Sequence, residues 1–550
     1  MNVKFKKGIT YTVIAIAFSM IGQVPELSKN YKAEIPNEKI SDGISDGISD
    51  QIRAYNRYSR ETALKINGCE EANINKFGME FFTEKQIQSR PSFNFNSGEG
   101  YAKLAGVTCF RGNNLRDSAS FGEIEVKEQK LNILWQKSIG GIDEWTGVGW
   151  NGQPAIVQWD KSVIKDMNIK AEKKNKEGLK EVIYATLDGN VYFLDLEDGR
   201  ETRNKLTIGA PVKGSVTVDP RGIPILYVGQ GIDKAGSGYV NFAYRIFSLV
   251  DFTKLYEIKG NDSFARRNWG AFDSTPLINS NNDFFFLCGE NGVFYSGRLN
   301  TSYEKGKVSI SPQIDKYRYD FKNKSRRGIE NSIAIYGDYG YFADNDGMLQ
   351  CLNLKNLTPE WSFNVNDDTD STVVLEKKEK ELNLFTACEV DFQGNEGFSY
   401  VRKIAAATGK LLWENRYKCA YDGNTNGGAL ATPILGKNDI SNLVIYNIAR
   451  TPSYNGGILV ALDKETGKEK WKLELKNYCW SSPVALYTKE GKSYIVQCDS
   501  AGKAMLIEGA TGKLLNTIEL GSNVEGSPAA FGNTLVVGTR GAKIIGFGVK

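Results

Sequence analysis

A short phrase recurs along this 550-residue chain. Its clearest copy is Ala-Leu-Asp-Lys-Glu-Thr-Gly-Lys-Glu-Lys-Trp at 461–471, and Ser-Ser-Pro-Val follows it at 481–484. Weaker copies of the pair extend from about residue 130 to the C-terminus. A repeat of roughly 40 to 60 residues, built from short β-type segments and Gly turns, is typical of a repeat architecture and not of a conventional catalytic domain.

One repeat can be divided into four predicted strands. In the copy that starts at Thr432-Pro433, a second strand covers 442–447, a third covers 457–463 and a fourth covers 469–475. The Thr466-Gly467-Lys468 turn joins the last two. Four antiparallel strands that repeat in this way form one blade of a β-propeller.

The number of first-strand signals predicts the number of blades. The signal is a Ser, Thr or Gln followed by Pro or a β-branched residue, and Pro suits the first position of a strand because its missing N–H costs no ladder hydrogen bond. Eight such pairs occur: Gln153-Pro154, Ser215-Val216, Thr275-Pro276, Ser332-Ile333, Thr372-Val373, Thr432-Pro433, Ser482-Pro483 and Ser527-Pro528.

The two ends of the repeat region complement each other. The last copy stops after its third strand at 542–548, and 131–136 has the pattern of a fourth strand that lacks the three before it. Pairing these segments would close the ring and remove two exposed sheet edges. The sequence therefore predicts an all-β fold, an eight-bladed β-propeller closed by an N-terminal strand. Seven blades is the alternative, because the second and third copies have degenerate outer strands.

The first hundred residues differ from the repeats. Three lysines at 4–7 precede an uncharged stretch at 8–25, a pattern typical of a signal peptide, with an uncleaved N-terminal anchor as the alternative. Residues 26–100 include a triplicate Ile-Ser-Asp at 40–50 and are predicted to be a low-complexity, partly helical tether. We expect an extracytoplasmic protein, secreted or anchored to the membrane by its N-terminus, with a propeller over 101–550.

The composition excludes several classes of function. Histidine is absent, which removes His-dependent catalytic triads and nearly all zinc catalysis. The formal net charge of +4 is small for this length, and Lys and Arg are dispersed, so nothing indicates a nucleic-acid partner.

Eight cysteines in an exported chain invite a disulfide interpretation. Cys288 and Cys498, however, occupy a repeat position that other copies fill with Ala or Val, which predicts tightly packed buried thiols. Cys69 and Cys109 are the pair that best suits a disulfide.

The phrase Ala-Leu-Asp-x-x-Thr-Gly-Lys-x-x-Trp resembles the repeat of the pyrroloquinoline quinone (PQQ)-like propeller family, also called the quinoprotein alcohol dehydrogenase-like superfamily. Further copies lie at 194–200, 352–361, 405–413 and 507–513, and Cys-Phe-Arg-Gly-Asn at 109–113 is similar to an element that often precedes the first blade. The resemblance covers roughly 105–550. We expect the turn glycines to adopt positive φ, and the Trp at 361, 413 and 471 to pack between neighbouring blades.

Dehydrogenases of this family, by resemblance, have an adjacent Cys-Cys disulfide, a stacking Trp, a Ca²⁺ held by Glu and Asn, and an Asp base. This chain has no Cys-Cys pair and, without His, no Cys-x-x-Cys-His haem motif. Asp273, Asp370 and Glu330 are available as bases, but no spacing selects them. The acidic segments at 344–347 and 366–370 resemble partial Ca²⁺ loops, although turn chemistry explains the first. The resemblance therefore implies a non-catalytic branch, with no cofactor, no metal and no catalytic residue assigned.

The loops that link one blade to the next are the best candidates for a binding site. They are rich in Trp, Arg and Tyr, the side chains that dominate binding hot spots. The candidate residues are Trp145, Trp150, Arg266, Arg267, Trp269, Arg326, Arg327, Glu330, Tyr478 and Trp480. Two successive Arg pairs could form a cationic funnel for a carboxylate or phosphate. The alternative is that each Arg pairs with a neighbouring Asp and each Trp packs on its own loop.

These observations lead to two hypotheses on function. The first is an extracytoplasmic binding or scaffold propeller that engages a protein or a cell-envelope glycan through the loop face around the channel. The second is a PQQ- and calcium-dependent alcohol or sugar dehydrogenase. A polysaccharide-active enzyme would additionally require a carboxylate pair across the channel.

Overall fold

The computed structural model describes residues 79–322, 324–423 and 425–550. The predicted signal peptide or anchor at 1–25, the tether as far as residue 78, and Cys69 lie outside the described residues. Within those ranges, no helix has both the length and the apolar character that a membrane crossing requires.

The described residues form eight antiparallel sheets that correspond one by one to the predicted blades, which confirms the eight-bladed β-propeller. From first to fourth, the strands of blades 1 to 4 are as follows: blade 1, Ala155–Gln158, Lys180–Ala185, Asn190–Asp195 and Leu206–Thr207; blade 2, Thr217–Val218, Ile225–Val228, Ala243–Ser248 and Lys254–Lys259; blade 3, Leu277–Asn279, Phe284–Cys288, Val293–Arg298 and Gln313–Phe321; blade 4, Ala334–Tyr336, Tyr339–Phe342, Met348–Asn353 and Thr358–Asn364. Those of blades 5 to 8 are: blade 5, Val374–Lys378, Glu381–Ala387, Phe398–Ala405 and Lys410–Lys418; blade 6, Ile434–Leu435, Leu443–Ala449, Gly457–Asp463 and Glu469–Leu475; blade 7, Val484–Tyr487, Ser493–Cys498, Lys503–Glu508 and Leu514–Glu519; blade 8, Ala529–Phe531, Thr534–Thr539, Lys543–Val549 and, from the N-terminal side of the chain, Leu131–Ser138.

Short elements decorate the ring. They are the strands Met79–Glu84, Ala105–Val107 and Ser120–Phe121, the hairpins Gly141–Ile142 with Trp145–Thr146, Lys234–Ala235 with Gly238–Tyr239 and Ser302–Glu304 with Lys307–Ser309, the pair Glu389–Val390 with Gly427–Gly428, the helices Lys161–Asp166 and Ala171–Lys174, and the 3-10 turns Gly394–Glu396 and Asn438–Ile440.

Blade 8 is closed by the two ends of the repeat region. Leu131–Ser138 pairs antiparallel with Lys543–Val549, from Leu131 opposite Val549 to Ser138 opposite Lys543. The predicted closure is therefore confirmed, and the seven-blade alternative does not apply. A hydrophobic cluster lies at every junction between neighbouring blades, so burial of apolar area holds the ring together on all sides.

The recurring Trp and Gly meet across these junctions. The indole N–H of a fourth-strand Trp donates to a main-chain carbonyl of the next blade: Trp135 to Leu196 at 2.8 Å, Trp361 to Ala406 at 2.9 Å, Trp413 to Lys464 at 2.8 Å and Trp471 to Gly509 at 3.0 Å. Each ring also covers the turn glycine of that blade, namely Gly199, Gly409, Gly467 or Gly512. The prediction that these Trp residues form inter-blade core is confirmed.

The Ser and Thr residues at the strand starts link the inner ends of the blades. In successive junctions the backbone N–H at one start donates to the hydroxyl at the next start: Gln153 to Ser215, Thr275 to Ser332, Ser332 to Thr372, Thr372 to Thr432, Thr432 to Ser482 and Ser482 to Ser527, all at 2.8–3.1 Å. Small hydroxyl residues therefore recur at this position because each one satisfies a buried N–H of its neighbour.

The segment that contains Cys-Phe-Arg-Gly-Asn plugs one end of the channel. Residues 105–121, which we call the plug, contact all eight blades. In five blades the contact is with the first strand: Ala105 with Gln158, Thr108 with Val218, Asn114 with Ile335, Leu115 with Leu375, and Ser120 with Ala530. In the other three it is with a residue just before that strand: Arg116 with Thr275, and Arg111 with Pro433 and Pro483. The contacts that involve the main chain of both partners fall within the first strands, after the strand-start residues. The plug therefore closes the channel at the end toward which the first strands run.

The part of the predicted tether that the structure describes, 79–100, packs on the propeller. Met79–Glu84 adds a fifth strand to blade 3, in register from Met79 opposite Phe321 to Glu84 opposite Lys316. Arg90 forms an ion pair with the buried Asp315 at 2.7 Å. The Phe93 ring packs edge-on against two Phe rings of blade 3.

Candidate ligand-binding cavity

A cavity of about 320 Å³ lies at the end of the channel opposite the plug. Its walls combine three indoles with several charged side chains: Trp145, Gly149, Trp150, Lys213, Glu330, Asp370, Leu430, Trp480, Glu525 and Arg540. Every blade-to-blade loop reaches this end of the channel because each loop leads directly into a first strand. In the part of the chain that the structure describes, the channel therefore has one open mouth, rimmed by loops.

In each blade, one residue lies two positions before the strand-start pair. Together these eight residues surround the cavity, and we call them the inner ring. Its eight members in the described chain are Asn151, Lys213, Asp273, Glu330, Asp370, Leu430, Trp480 and Glu525. Six of them line the cavity directly. Four are acidic and one is basic, so the repeat presents carboxylates at equivalent positions of different blades.

Lys213 is the single basic member of the inner ring. Its ammonium group lies 2.7 Å from a carboxylate oxygen of Asp273, which is almost completely buried. Burial alone would lower the pKa of Lys213, but the carboxylates of Asp273, Glu290 and Glu330 outweigh it and raise that pKa well above its usual value. One oxygen from each of these three carboxylates lies within 4.8 Å of the others. Lys213 therefore remains charged and partly neutralises this first acidic cluster.

A second acidic cluster, formed by Asp368, Asp370 and Glu389, has the same spacing, with oxygens within 4.8 Å of one another. All three side chains are buried. Burial, followed by mutual repulsion with neighbouring carboxylates, raises the pKa of each well above its usual value. None of them forms an ion pair with a described basic residue.

Amide groups, and not cations, contact this second cluster. Asn426 donates from Nδ2 to Glu389 at 2.9 Å, and Asn345 donates to Asp368 at 3.3 Å and to Glu330 at 2.8 Å. Asn345 thus bridges the two clusters. One oxygen each of Asp368 and Asp370 is buried with no hydrogen-bond partner among the described residues. Lys213 attracts the Asp370 carboxylate through space, but no described basic side chain forms an ion pair with a member of this cluster.

The rim of the cavity is aromatic. Trp480 donates its indole N–H to the backbone carbonyl of Asn426 at 3.3 Å, which fixes it beside the second cluster. Arg540 lies over the Trp145 ring at 5.8 Å and 3.6 Å from Glu525, whose pKa is raised by burial. The Trp150 indole is 7% exposed, and its N–H has no hydrogen-bond partner in the described part of the chain.

The structure brings together four of the residues proposed from the sequence, Trp145, Trp150, Glu330 and Trp480. Trp269 instead packs edge-on against Phe242 at 4.7 Å. Asp273 and Asp370, which no spacing had selected, belong to the two acidic clusters. The signal that could have found them is their fixed position two residues before the strand start.

The four arginines of the expected cationic funnel are occupied by neighbouring groups. Arg266 and Arg327 both pair with Asp320, at 3.5 and 2.7 Å, and Arg326 pairs with Asp391 at 3.0 Å while lying over the Phe392 ring. Arg267 donates to the Glu290 carbonyl at 3.3 Å. Pairing with neighbouring acidic residues, the alternative stated for these side chains, is the arrangement observed for three of them. A binding role for the arginines stays a prediction.

The acidic segment at 344–347 serves as a turn. The Asp344 carboxylate accepts hydrogen bonds from the backbone N–H groups of Asp346 and Met348, at 3.0 and 2.7 Å. In the segment at 366–370, Asp367 accepts the N–H groups of Asp391 and Phe392 at 3.1 and 3.0 Å, whereas Asp368 and Asp370 join the second cluster.

The cavity suits cations better than a quinone. Either acidic cluster offers the carboxylate oxygens that Ca²⁺ prefers. PQQ is a tricarboxylate, and it would face an excess of carboxylates in a cavity whose two basic groups are already paired with Asp273 and Glu525. All seven described cysteines are free and buried, and none of them lines the cavity. The geometry therefore gives an anionic quinone little electrostatic support.

An eight-bladed ring with one plugged end and one open, aromatic mouth defines a β-propeller with a central binding cavity. Residues 455–550 match a family model described as "Outer membrane protein assembly factor BamB". Together with the eight-bladed ring, this match supports assignment of the chain to the PQQ-like β-propeller family.

Two of the solved structures that align with the chain are the following. The quinohemoprotein alcohol dehydrogenase ADHIIG from Pseudomonas putida HK5 is 12% identical with a TM-score of 0.53, over 84% of this chain and 83% of its own. BamB from Moraxella catarrhalis is 14% identical with a TM-score of 0.46, over 72% of this chain and 98% of its own. At 12% identity the first shows the fold alone. No curated protein sequence matches the chain.

Proposed function

We propose that the protein is an extracytoplasmic binding propeller that engages a partner protein or a cell-envelope glycan through the open mouth of its channel. The observation that carries the proposal is the set of three indoles, Trp145, Trp150 and Trp480, around a cavity at the only channel end that the plug leaves open in the described chain. Aromatic side chains on a rigid frame supply contact area at a low entropic cost. The assembly-factor description of the family match supports a protein partner, and the sequence pattern at 1–25 supports export.

Binding at the mouth can be tested by capture of an envelope partner on immobilised protein. Replacing Trp145 and Trp480 together with Ala should abolish capture, since both indoles are half-buried on the rim and can be removed without opening a blade junction. Tyr339→Ala is the matched control, because this aromatic is 39% exposed on the turn between the first two strands of blade 4, toward the plugged end. Equal capture by the double variant and the control would place the binding surface elsewhere.

The dehydrogenase alternative rests on the acidic clusters, which could hold Ca²⁺ beside a substrate. It is tested by adding PQQ and Ca²⁺ to the purified protein and following dye reduction with alcohols and sugars. The charge of the cavity leads us to expect no turnover. Turnover that disappears in an Asp273→Asn variant would establish the enzyme and overturn the proposal of a binding function alone.

A further inference from the structure

The charge of the cavity identifies the kind of group it receives. Around the mouth, the acidic inner-ring members Asp273, Glu330, Asp370 and Glu525 outnumber the single basic member Lys213, and Asp368, Glu290 and Glu389 lie directly behind them. Buried carboxylates that are not matched by cations are costly to keep ionised, so a cavity with this excess is complementary to a positive ligand.

The two acidic clusters differ in one respect. The first cluster, Asp273 with Glu290 and Glu330, already holds the ammonium group of Lys213 at 2.7 Å from Asp273. The second cluster, Asp368 with Asp370 and Glu389, has the same three-carboxylate geometry but no ion-pair partner in the described chain, and Lys213 reaches Asp370 only through space. Lys213 therefore shows within this molecule which kind of group a cluster of this shape accepts.

An independent observation points to a ligand at the same place. Trp150 lines the cavity, is only 7% exposed, and leaves its indole N–H without a partner among the residues that the structure describes. A buried N–H that donates to nothing costs free energy, which a ligand with a hydrogen-bond acceptor would restore. The ligand should therefore carry an acceptor as well as a positive charge.

We infer that the cavity binds a protonated primary amine, in the form of a lysine side chain presented by a partner protein. Its ammonium group lies against Asp370, with Asp368 behind it, and its carbon stem runs between the indoles of Trp145 and Trp480. A backbone carbonyl of the same segment accepts the Trp150 N–H. This inference rests on the proposed binding function and specifies the chemistry of its partner.

The aromatic rim favours an organic ammonium over a bare metal ion. An indole face attracts a cation electrostatically, and an apolar stem gains additional free energy by leaving water against the same rings. A divalent ion would gain from the carboxylates but would leave the three indoles and the Trp150 N–H without a role. An anionic ligand would meet the carboxylates, and the two basic side chains among the described lining residues, Lys213 and Arg540, are already paired.

The test is calorimetric titration of the full chain with Nα-acetyl-lysine-N-methylamide at low ionic strength. The matched controls are the norleucine analogue, which has a similar stem and no charge, glucosamine, which presents an amine on a sugar, and CaCl₂. We expect binding of the lysine probe, at least about tenfold weaker binding of norleucine, and loss of affinity as salt is added.

Variants locate the site. Asp370→Asn should weaken the lysine probe by about tenfold, because it removes a charge that faces the ammonium group. Trp150→Phe keeps an aromatic ring but removes the N–H, and should weaken binding of the probe by roughly threefold.

Glu360→Gln, on the outer strand of blade 4, is the control and should leave the affinity for the probe unchanged. The melting temperature of each variant verifies folding, and Asp370→Asn should not lower it, because the substitution replaces a buried carboxyl group that has no ion-pair partner among the described residues.

The possible results separate this inference from the proposed function. Capture that depends on Trp145 and Trp480 together with no lysine binding would overturn the inference and keep the binding function. Lysine binding that depends on Asp370, with capture unaffected by the Trp double variant, would overturn the function and keep the inference. Tighter binding of CaCl₂ or glucosamine than of the lysine probe would overturn the assignment to a lysine side chain.

Discussion

The indole of Trp471 covers Gly512 of the next blade so closely that a methyl carbon added to the glycine would lie 2.4 Å from ring atom Cε3. The same glycine has a φ of +72°, a conformation that residues with a side chain rarely adopt. The recurring Gly of the phrase is therefore required twice, for the turn and for the tryptophan of the preceding blade. The recurring Trp and Gly are thus two halves of one inter-blade contact.

Replacing Gly512 with Ala should separate these two requirements. The strained φ costs about 1 kcal/mol, and the clash with the indole adds roughly 1–3 kcal/mol, so the free energy of unfolding should fall by both amounts. Gly521→Ala is the matched control, because Gly521 has a φ of +92° and nothing within 4 Å of the added carbon. Urea unfolding of both variants measures the difference. Equal losses would mean that the indole moves aside freely and that the contact contributes little.

Arg116 should be among the most sensitive residues of the plug. Its guanidinium is fully buried and donates to the carbonyls of Ile333, Phe110 and Thr275 at 2.8–2.9 Å. Arg116→Met keeps the volume but leaves these buried carbonyls unpaired, and the free energy of unfolding should fall by roughly 3 kcal/mol or more. Arg200→Met, at a side chain that is 82% exposed, should change it by less than about 0.5 kcal/mol. A loss for Arg116→Met no larger than for this control would show that the plug does not stabilise the ring.

The fold could be predicted from the sequence because its signals are local and repeated. The strand-start pairs, the turn glycines and the fourth-strand Trp each occupy fixed positions, and the missing fourth strand of blade 8 is visible as an unpaired pattern at 131–136. The role of the Ser and Thr at the strand starts was not predicted, since it depends on the N–H of the neighbouring blade and not on the repeat itself.

The site could be predicted only in part. Trp145, Trp150 and Trp480 stand out by residue type, and Asp273 and Asp370 could have been found from their register with the strand starts. Asp368 belongs to the acidic segment at 366–370 that the sequence already marks. Glu290 and Glu389 could not be found in this way, because they come from other parts of the blades and meet the loop residues only in space. The pairing of Arg266 and Arg327 with Asp320 depends likewise on contacts between separate loops and a strand.

Asp344 should make stability depend on pH. Burial, and then the neighbouring Asp346 carboxylate, raise the pKa of Asp344 to about 7, although two backbone N–H groups and the Tyr319 hydroxyl bind it. Between about pH 4 and pH 7 the native state holds a proton that the unfolded chain has released, so stability falls as pH rises through this window and stays level above it.

Asp344→Asn removes this titration and mimics the protonated side chain. The variant should gain stability relative to the wild type as pH is raised from 5 to 7, by up to about 3 kcal/mol, with no further gain above pH 7. Unfolding in urea at pH 5, 6, 7 and 8 measures the difference, and Asp160→Asn, at an exposed helix start without a side-chain cap, is the control. A gain that is the same at every pH would contradict a titrating Asp344.

The cysteines of the described chain should be inert toward thiol reagents while the protein is folded. All seven are free and buried, and burial raises the pKa of Cys388 to about 11 and that of Cys419 to about 12, so neither access nor thiolate is available at neutral pH. Iodoacetamide treatment followed by peptide mass spectrometry should show little alkylation of these residues in buffer and full alkylation in urea without any reductant. If Cys109 is alkylated in urea only after a reductant is added, it forms a disulfide. Rapid alkylation of Cys288 or Cys498 in buffer would mean that their blades open under native conditions.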